Sequence, residues 1–425
     1  MTTTETDSRR LRLGTRGSRL ALTQSGQVAE ALIASGGGGA AAAAGKASEG
    51  SGGLSIDLVT VRTDGDGDRT PLRQLGGVGV FAARLRHALL DGEVDLVVHS
   101  FKDLPTQPVE GLEVICVPPR EDPRDALCAR DGLTLADLPE GARVGTGSPR
   151  RAAQLLAARP DLEVVDLRGN VPTRLARVRG LETVGVGTDE PVAPSRADAA
   201  GDLDAVVLAL SGLRRLGLEH CASEVLDLET MLPAPAQGAL AVEARADEDS
   251  AELARAAAAL DDEPTRLAVT AERALMARLG AGCAAPVGAW AYLRDDSQEP
   301  REEHAEHGTG WNEGFRGDDT AETRPSQGAG TGQDAGPVVP RGSAVSRRSP
   351  RVLVLRAVVT SLDGGQEVGC ELSTELPEAS GGPGAPGDTA AVRAAEALGV
   401  RAAEVLLEDG ADQIVDLYAN KPRRD

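Results

Sequence analysis

Through its first 240 residues the chain alternates short apolar runs with helix-length amphipathic segments, and this alternation limits the fold more than any other feature. Leu11–Thr15, Ile56–Val61, Leu96–His99, Val114–Val117, Arg143–Gly145, Val164–Leu167 and Ala205–Leu210 read as strands. Between them, Ser18 is placed to cap a helix from Arg19 to about Ser35. A second helix, Phe81–Leu90, ends at Asp91-Gly92, and a third opens at Ser148-Pro149 and ends before Pro160. Strand and helix in regular succession predict doubly wound α/β domains. Ligands of such sheets bind beyond the carboxyl ends of the strands. After Arg294 the pattern changes: a strand at Val352–Thr360 and an amphipathic helix at Thr389–Asp409 predict a smaller α+β domain.

Four segments interrupt this order. Gly36–Gly53, Thr183–Ala200, Arg294–Pro350 and Pro377–Gly387 are rich in Gly, Pro, Ser or charge and read as surface loops, with 294–350 read as disordered. Two suggestive loops fail on spacing. Gly39 to Lys46 has the wrong count for a phosphate loop, and Arg69 and Leu75 stand where a calcium loop needs Gly and Glu. His304 and His307 fall in the long insertion and make no metal site.

The chain carries 45 basic against 66 acidic residues, a formal net charge of −21. A field of that sign repels nucleic acid and anionic membranes, yet leaves room for an anionic small molecule in a local basic pocket. Nearly all the positive charge is arginine, with lysine only at 46, 102 and 421. Much of that bias is what a GC-rich genome produces, but arginine is also the side chain that holds carboxylates through paired hydrogen bonds. The five cysteines, 116, 128, 221, 283 and 370, form no C-x-x-C pair, which points to a reducing compartment. Met1–Arg10 lacks an apolar signal core, and no apolar run approaches membrane-spanning length. The expectation is a cytoplasmic protein.

Five polar segments fall at predicted strand or helix ends. Gly14-Thr15-Arg16-Gly17-Ser18 opens a helix, where backbone N–H groups and the helix dipole favour an anion; an ordinary capped helix start explains it equally well. Ser100-Phe101-Lys102-Asp103-Leu104-Pro105 follows a buried strand, and on spacing alone a plain ion pair in a turn is the simpler reading. Thr146-Gly147-Ser148-Pro149-Arg150-Arg151 is the more specific anion site, because cap, dipole and two guanidiniums converge. Arg168-Gly169-Asn170-Val171-Pro172-Thr173-Arg174 brackets another turn with arginines. Three basic loops at successive strand ends suggest a cleft for a polycarboxylate. Last, Gly280-Ala281-Gly282-Cys283 ends a helix at a glycine-flanked thiol, although chemistry alone favours an inert buried cysteine there.

Taken in order, these segments closely resemble the hydroxymethylbilane synthase (porphobilinogen deaminase) family, from Leu11 to about Ala291 and again after Arg351. Leu232-Pro233-Ala234-Pro235-Ala236-Gln237-Gly238 is similar to the family's proline-alanine-glycine-glutamine-glycine stretch. The resemblance implies two α/β lobes built like type II periplasmic binding proteins, plus a third domain carrying the cysteine. The divisions expected are 1–117 with 213–238, 118–212, and 239–425. It implies a monomeric, cytoplasmic transferase of tetrapyrrole and heme biosynthesis, with a dipyrromethane joined to Cys283 by a thioether. Four porphobilinogens would be added in turn, each losing ammonia, and water would release hydroxymethylbilane.

By the same resemblance Asp103 is the catalytic carboxylate, stabilising the cation left when ammonia departs and helping to move protons. Cys283, Lys102, Ser148, Arg150, Arg151 and Asn170 would hold the cofactor. Arg16, Ser18, Phe81, Ser100, Thr146, Arg168, Arg174 and Gln237 would hold substrate, each charge-assisted contact contributing roughly 1.5–3 kcal/mol. The chain departs from the family pattern at Val78, where lysine is usual, and at Ala83-Arg84, where lysine-glutamate is usual, which puts substrate capture by that loop in doubt. Ala236, Gly147 and Phe101 replace a usual glycine, serine and methionine. A non-catalytic two-lobed carboxylate-binding module would suit the arginines but would not explain Gly282-Cys283. A cysteine hydrolase would need a histidine partner, and His87, His99 and His220 offer no recognisable pairing in the sequence.

Overall fold

The computed structural model describes residues 10–36, 54–61, 80–181, 201–282, 285–294, 351–377 and 390–417. The predicted disordered insertion, the Gly39 and Asp64 loops and Val78 lie outside them.

The chain begins with β1 (Arg10–Thr15), α1 (Arg19–Ser35), β2 (Ser55–Thr60), α2 (Val80–Leu90), β3 (Leu96–Ser100) and β4 (Leu112–Cys116). Ser18 caps α1 as expected, its hydroxyl accepting the Ala21 N–H at 3.3 Å. It continues with β5 (Asp125–Ala129), β6 (Arg143–Gly145), α3 (Pro149–Ala158), β7 (Glu163–Val165), α4 (Val171–Leu175), β8 (Ala205–Ala209), α5 (Leu210–Arg215), β9 (Glu224–Val225) and β10 (Leu240–Arg245). The last part holds α6 (Ala251–Leu260), α7 (Glu263–Leu279), β11 (Val287–Arg294), β12 (Val352–Thr360), β13 (Glu367–Glu375), α8 (Ala390–Glu408) and α9 (Ala411–Ile414).

These strands form three sheets: β2-β1-β3-β10-β4, β7-β6-β8-β5-β9 and β11-β12-β13. The first two are mixed. β1 runs parallel to β2 and β3, and β6 to β7 and β8, while β10 and β5 run antiparallel to their neighbours. Strands covered on both faces read as continuous apolar runs, as in Ala205-Val206-Val207-Leu208. The third sheet is all antiparallel and packs on α7 and α8 through Leu267, Leu275, Leu279, Leu355, Leu398 and Leu406. Each such leucine contributes about 1.5–3 kcal/mol by leaving water. α7 is well delimited: Asp262 accepts the Thr265 N–H, a proline follows in the first turn, and Gly280 ends the helix at φ 64°.

Two expected divisions shift. Residues 213–226 pack with the second sheet, through Leu213, Leu216, Leu218 and β9. Residues 240–257 pack with the first, through β10 and α6 on Leu11, Leu13 and Leu32. The reason is topological. Each antiparallel strand is the one laid down just after the chain crosses from the other sheet, so its sheet is set by the crossing and not by its neighbours in sequence.

The two crossing segments, 117–124 and 226–239, are bound to each other. Glu121 N–H donates to the Gly238 carbonyl at 3.3 Å, Arg120 Nε to the Gln237 carbonyl at 2.8 Å, and Gln237 Nε2 to the Pro123 carbonyl at 2.7 Å. Gly238 has φ 89°, and a Cβ there would lie 2.3 Å from the Glu121 carbonyl oxygen. Gly238→Ala is therefore expected to cost about 2–5 kcal/mol, combining a left-handed backbone with overpacking. A urea midpoint lowered at unchanged m-value checks this; an unaltered midpoint contradicts it.

Candidate active site

Three polar turns converge from strand ends. Lys102 and Asp103 lie on the single 3-10 turn that follows β3, Ser148, Arg150 and Arg151 open α3 after β6, and Arg174 sits on α4 after β7. Together with Gln237 from the second crossing segment and Arg273, Met276, Ala281, Gly282 and Ala285 from α7 and its continuation, they line a cavity of about 250 Å³. Cys283 lies outside the described residues, but Gly282 before it and Ala285 after it both face this cavity.

The floor of the site is a buried carboxylate that the motif spacing did not reveal. Asp125, fully buried at the start of β5, accepts Arg150 Nη2 at 2.7 Å, Arg151 Nη2 at 2.7 Å and Gln237 Nε2 at 2.8 Å. Burial opposes its charge, yet Arg150 and Arg151 overcome that and hold its carboxyl well below the usual carboxylate range. Arg150 also donates to the Leu232 carbonyl at 2.6 Å, and Arg151 to that of Val207 at 3.0 Å. Both guanidiniums are thus fixed in place. Two of them share one carboxylate, and Lys102, whose Nζ donates to Gln237 Oε1 at 3.2 Å, adds a third cation. The cavity therefore carries positive charge in a chain that is acidic overall.

Burial pulls the Lys102 ammonium down to about 8, Arg150 and Arg151 adding to the effect while Asp103 and Asp125 oppose it. Arg174 is likewise pushed down to about 10 by burial and by Arg151 and Arg168. Cations so crowded gain more than exposed ones from an arriving carboxylate. Ser148 stands at the N-cap of α3 but makes no capping hydrogen bond through its side chain, and it too faces the cavity. Arrangement and charge suit a polyanion whose carboxylates meet guanidinium, ammonium and a helix N-terminus.

Of the residues singled out from sequence, Lys102, Asp103, Ser148, Arg150, Arg151, Arg174 and Gln237 line this cavity. Arg16, Ser18, Ser100, Thr146, Arg168 and Asn170 do not. Ser18 and Asn170 cap helices, Asn170 Oδ1 accepting the Thr173 N–H at 2.9 Å. Ser100 donates to Gln24 Oε1 at 3.2 Å, and the buried Thr146 hydroxyl accepts the Ser148 N–H at 3.2 Å. The side chain of Phe81 lies outside the described residues. Gly147 fits tightly: a Cβ there would lie 2.5 Å from the Leu167 carbonyl oxygen. Ala236, where the family usually has glycine, stands at φ 61°.

A second ion pair ties the site together. Glu272 of α7, fully buried, accepts Arg120 Nη1 at 2.7 Å and Nη2 at 3.0 Å, together with the N–H groups of Ala236 at 2.5 Å and Ala291 at 2.8 Å. It joins the first crossing segment, the Gln237 loop, α7 and β11. Among the described residues no group of His, Cys, Asp and Glu could hold a metal ion, and no helix is long and apolar enough to cross a membrane.

Comparison with known proteins supplies the family. Residues 11–253 match the model described as porphobilinogen deaminase, dipyromethane cofactor binding domain, and residues 266–298 match that of the porphobilinogen deaminase C-terminal domain. The chain is 46% identical to the porphobilinogen deaminase of Cutibacterium acnes over 97% of its own length and 99% of that protein's. It is 56% identical to the Micrococcus luteus enzyme over 67% of this chain and 74% of that one, and 43% identical to that of Thermobifida fusca over 95% of each. A YaeC-family lipoprotein structure from Enterococcus faecalis overlaps 60% of this chain and 92% of its own at 15% identity and a TM-score of 0.30, too slight to bear on fold or function. The motif order read from the sequence, the basic cavity beside Asp103 and these matches agree: the chain belongs to the porphobilinogen deaminase family.

Proposed function

We propose that this protein does the work of its family: a hydroxymethylbilane synthase, a transferase that joins four porphobilinogen molecules head to tail with loss of ammonia and releases the linear product by hydrolysis. The observation that carries this reading is the single cavity in which Lys102, Asp103, Arg150, Arg151 and Arg174 meet the chain on both sides of Cys283. The donor set suits dipyrromethane, whose rings carry carboxylates: a net positive, half-enclosed cavity with glycine next to the thiol leaves room for a pyrrole chain.

In this reading Cys283 holds the cofactor by a thioether, and Lys102, Ser148, Arg150, Arg151 and Asn170 hold its carboxylates. When bound, dipyrromethane supplies the free ring position to which porphobilinogen is joined. Arg174 and Gln237 in the cavity bind and orient the incoming ring, a role that the family resemblance also gives to Arg16, Ser18, Phe81, Ser100, Thr146 and Arg168. Arg150 and Arg151, immobilised by Asp125, offer carboxylates a receptor that needs no rearrangement. Asp103, exposed to the cavity at the tip of its turn, balances the positive charge that ammonia loss leaves on the pyrrole and carries a proton away from the new bond. Three domains follow the three sheets: 1–117 with 239–260, 118–226, and 261–425. The protein acts as a monomer in the cytoplasm, without nucleic acid or membrane.

Intact mass of the purified protein tests the assignment. The expected result is one dipyrromethane added to the chain mass, an Ehrlich-type colour reaction, and loss of both in Cys283→Ala. An active sample of unmodified mass would exclude it.

A further inference from the structure

We propose that Arg273 is a positioning residue for Asp103, fixing that carboxylate relative to the helix that leads to Cys283. This rests on the reading of Asp103 given above.

The turn that carries Lys102 and Asp103 is short and is anchored by the buried side chains of Phe101 and Leu104 at its two ends. It is one 3-10 turn, closed by Leu104 N–H to the Phe101 carbonyl at 3.2 Å and tied to β10 by Phe101 N–H to the Ala239 carbonyl at 3.0 Å. Single turns of this kind have poor hydrogen-bond geometry. Arg273 adds the hydrogen bonds that fix the turn's carbonyls. Its Nη1 donates to the Leu104 carbonyl at 2.7 Å and to that of Phe101 at 3.3 Å, and its Nη2 donates to the Pro105 carbonyl at 2.8 Å. Its guanidinium carbon also lies 4.4 Å from the centre of the buried Phe101 ring. One planar side chain therefore grips the carbonyls on both sides of Asp103 and stacks on the aromatic ring that precedes it.

The other end of the grip is fixed as well. The adjacent residue, Glu272, is locked by Arg120 and by two backbone N–H groups. From Arg273 to the end of α7 at Leu279 the helix rises about 9 Å, at 1.5 Å per residue. Three residues of turn then lead to Cys283. The aspartate's turn is thus fixed to the helix whose end leads, three residues on, to Cys283 in the sequence. Three of the carboxylate-binding cations, Arg150, Arg151 and Arg174, reach the cavity from α3 and α4 and do not depend on Arg273, while Lys102 shares the clamped turn.

Loss of Arg273 should therefore slow chemistry and spare binding. The experiment compares holoenzymes of wild type, Arg273→Met, Arg273→Lys and Asp103→Asn in kcat, KM, thermal midpoint and intact mass. The expected result for Arg273→Met is a kcat lowered about ten- to a hundredfold, the scale of a misplaced catalytic group, with KM within about twofold and dipyrromethane still attached. Arg273→Lys, able to reach fewer carbonyls, should recover part of the loss. If Arg273→Met fails to fold, Arg273→Lys carries the same readout. Wild-type kcat in Arg273→Met while Asp103→Asn is inactive overturns the proposal. So does a defect confined to KM, which would make Arg273 a direct carboxylate ligand, or a loss that only follows the thermal midpoint. Normal turnover in Asp103→Asn sinks the reading of Asp103 itself, and this proposal with it.

Discussion

Asp103→Asn is expected to give a folded protein that still carries dipyrromethane and turns over porphobilinogen about 10²–10⁴-fold more slowly, the range that a positioned acid–base group supplies. Three features separate chemistry from everything else here. Asp103 is exposed to the cavity, so replacing it leaves no buried group unpaired, and stability should change by no more than about 0.5 kcal/mol. The amide keeps the shape of the carboxylate but neither balances a cation nor takes a proton. In the proposed reading carboxylates are bound by Lys102, Arg150, Arg151 and Arg174, whose side chains the change leaves in place. Single-turnover kinetics on the holoenzyme make the measurement. Turnover near the wild-type rate would show that another group carries the charge.

Asp125→Ala acts on the opposite part of the site and should damage the fold. The side chains of Arg150 and Arg151 are only 3% and 7% exposed, and Asp125 is their common carboxylate. Removing it leaves two buried guanidiniums facing each other, at a cost of about 3–5 kcal/mol. A typical domain has only about 5–15 kcal/mol in all. The variant should show a much lower urea midpoint and fail to retain dipyrromethane, since its anion receptor is no longer held in place. Asp125→Asn, which keeps the shape, should lose less.

Acid should do to the wild type what the substitution does. Because the Asp125 carboxyl is held below its ordinary range in the folded protein, its contribution is complete above the unfolded value of about 4 and fades as pH falls below it. Wild type should therefore lose stability on acidification more steeply than Asp125→Asn. Parallel pH curves for the two would show that the ion pair adds nothing.

Much of this site is written in local signals. A capping serine, a proline in the first turn and an arginine pair mark the opening of α3, and the Lys102–Asp103 turn follows an apolar strand whose end is visible in the sequence. Six residues of the polar segments so marked meet in one cavity, joined there by Gln237, which the family resemblance marked. What stays hidden depends on distant partners. Asp125 lies 25 and 26 residues from its arginines and 112 from Gln237, and looks like one more surface acid. Its one local sign is that it directly precedes the apolar run Ala126-Leu127-Cys128-Ala129. Glu272 resembles any helix glutamate until β11 and the first crossing segment close over it. β5 and β10 escape notice because alternation of strand and helix predicts parallel neighbours, and these two run the other way. The first two sheets share one spatial arrangement with no sequence repeat between them, although the antiparallel strand comes last along the chain in the first sheet and first in the second.

The two segments that pass between those sheets lie side by side and are stitched by Gly238, Gln237, Arg120 and Glu121. Sliding one segment past the other would break these bonds, so Arg150 beside the second sheet and Lys102 beside the first are kept in register across the cavity.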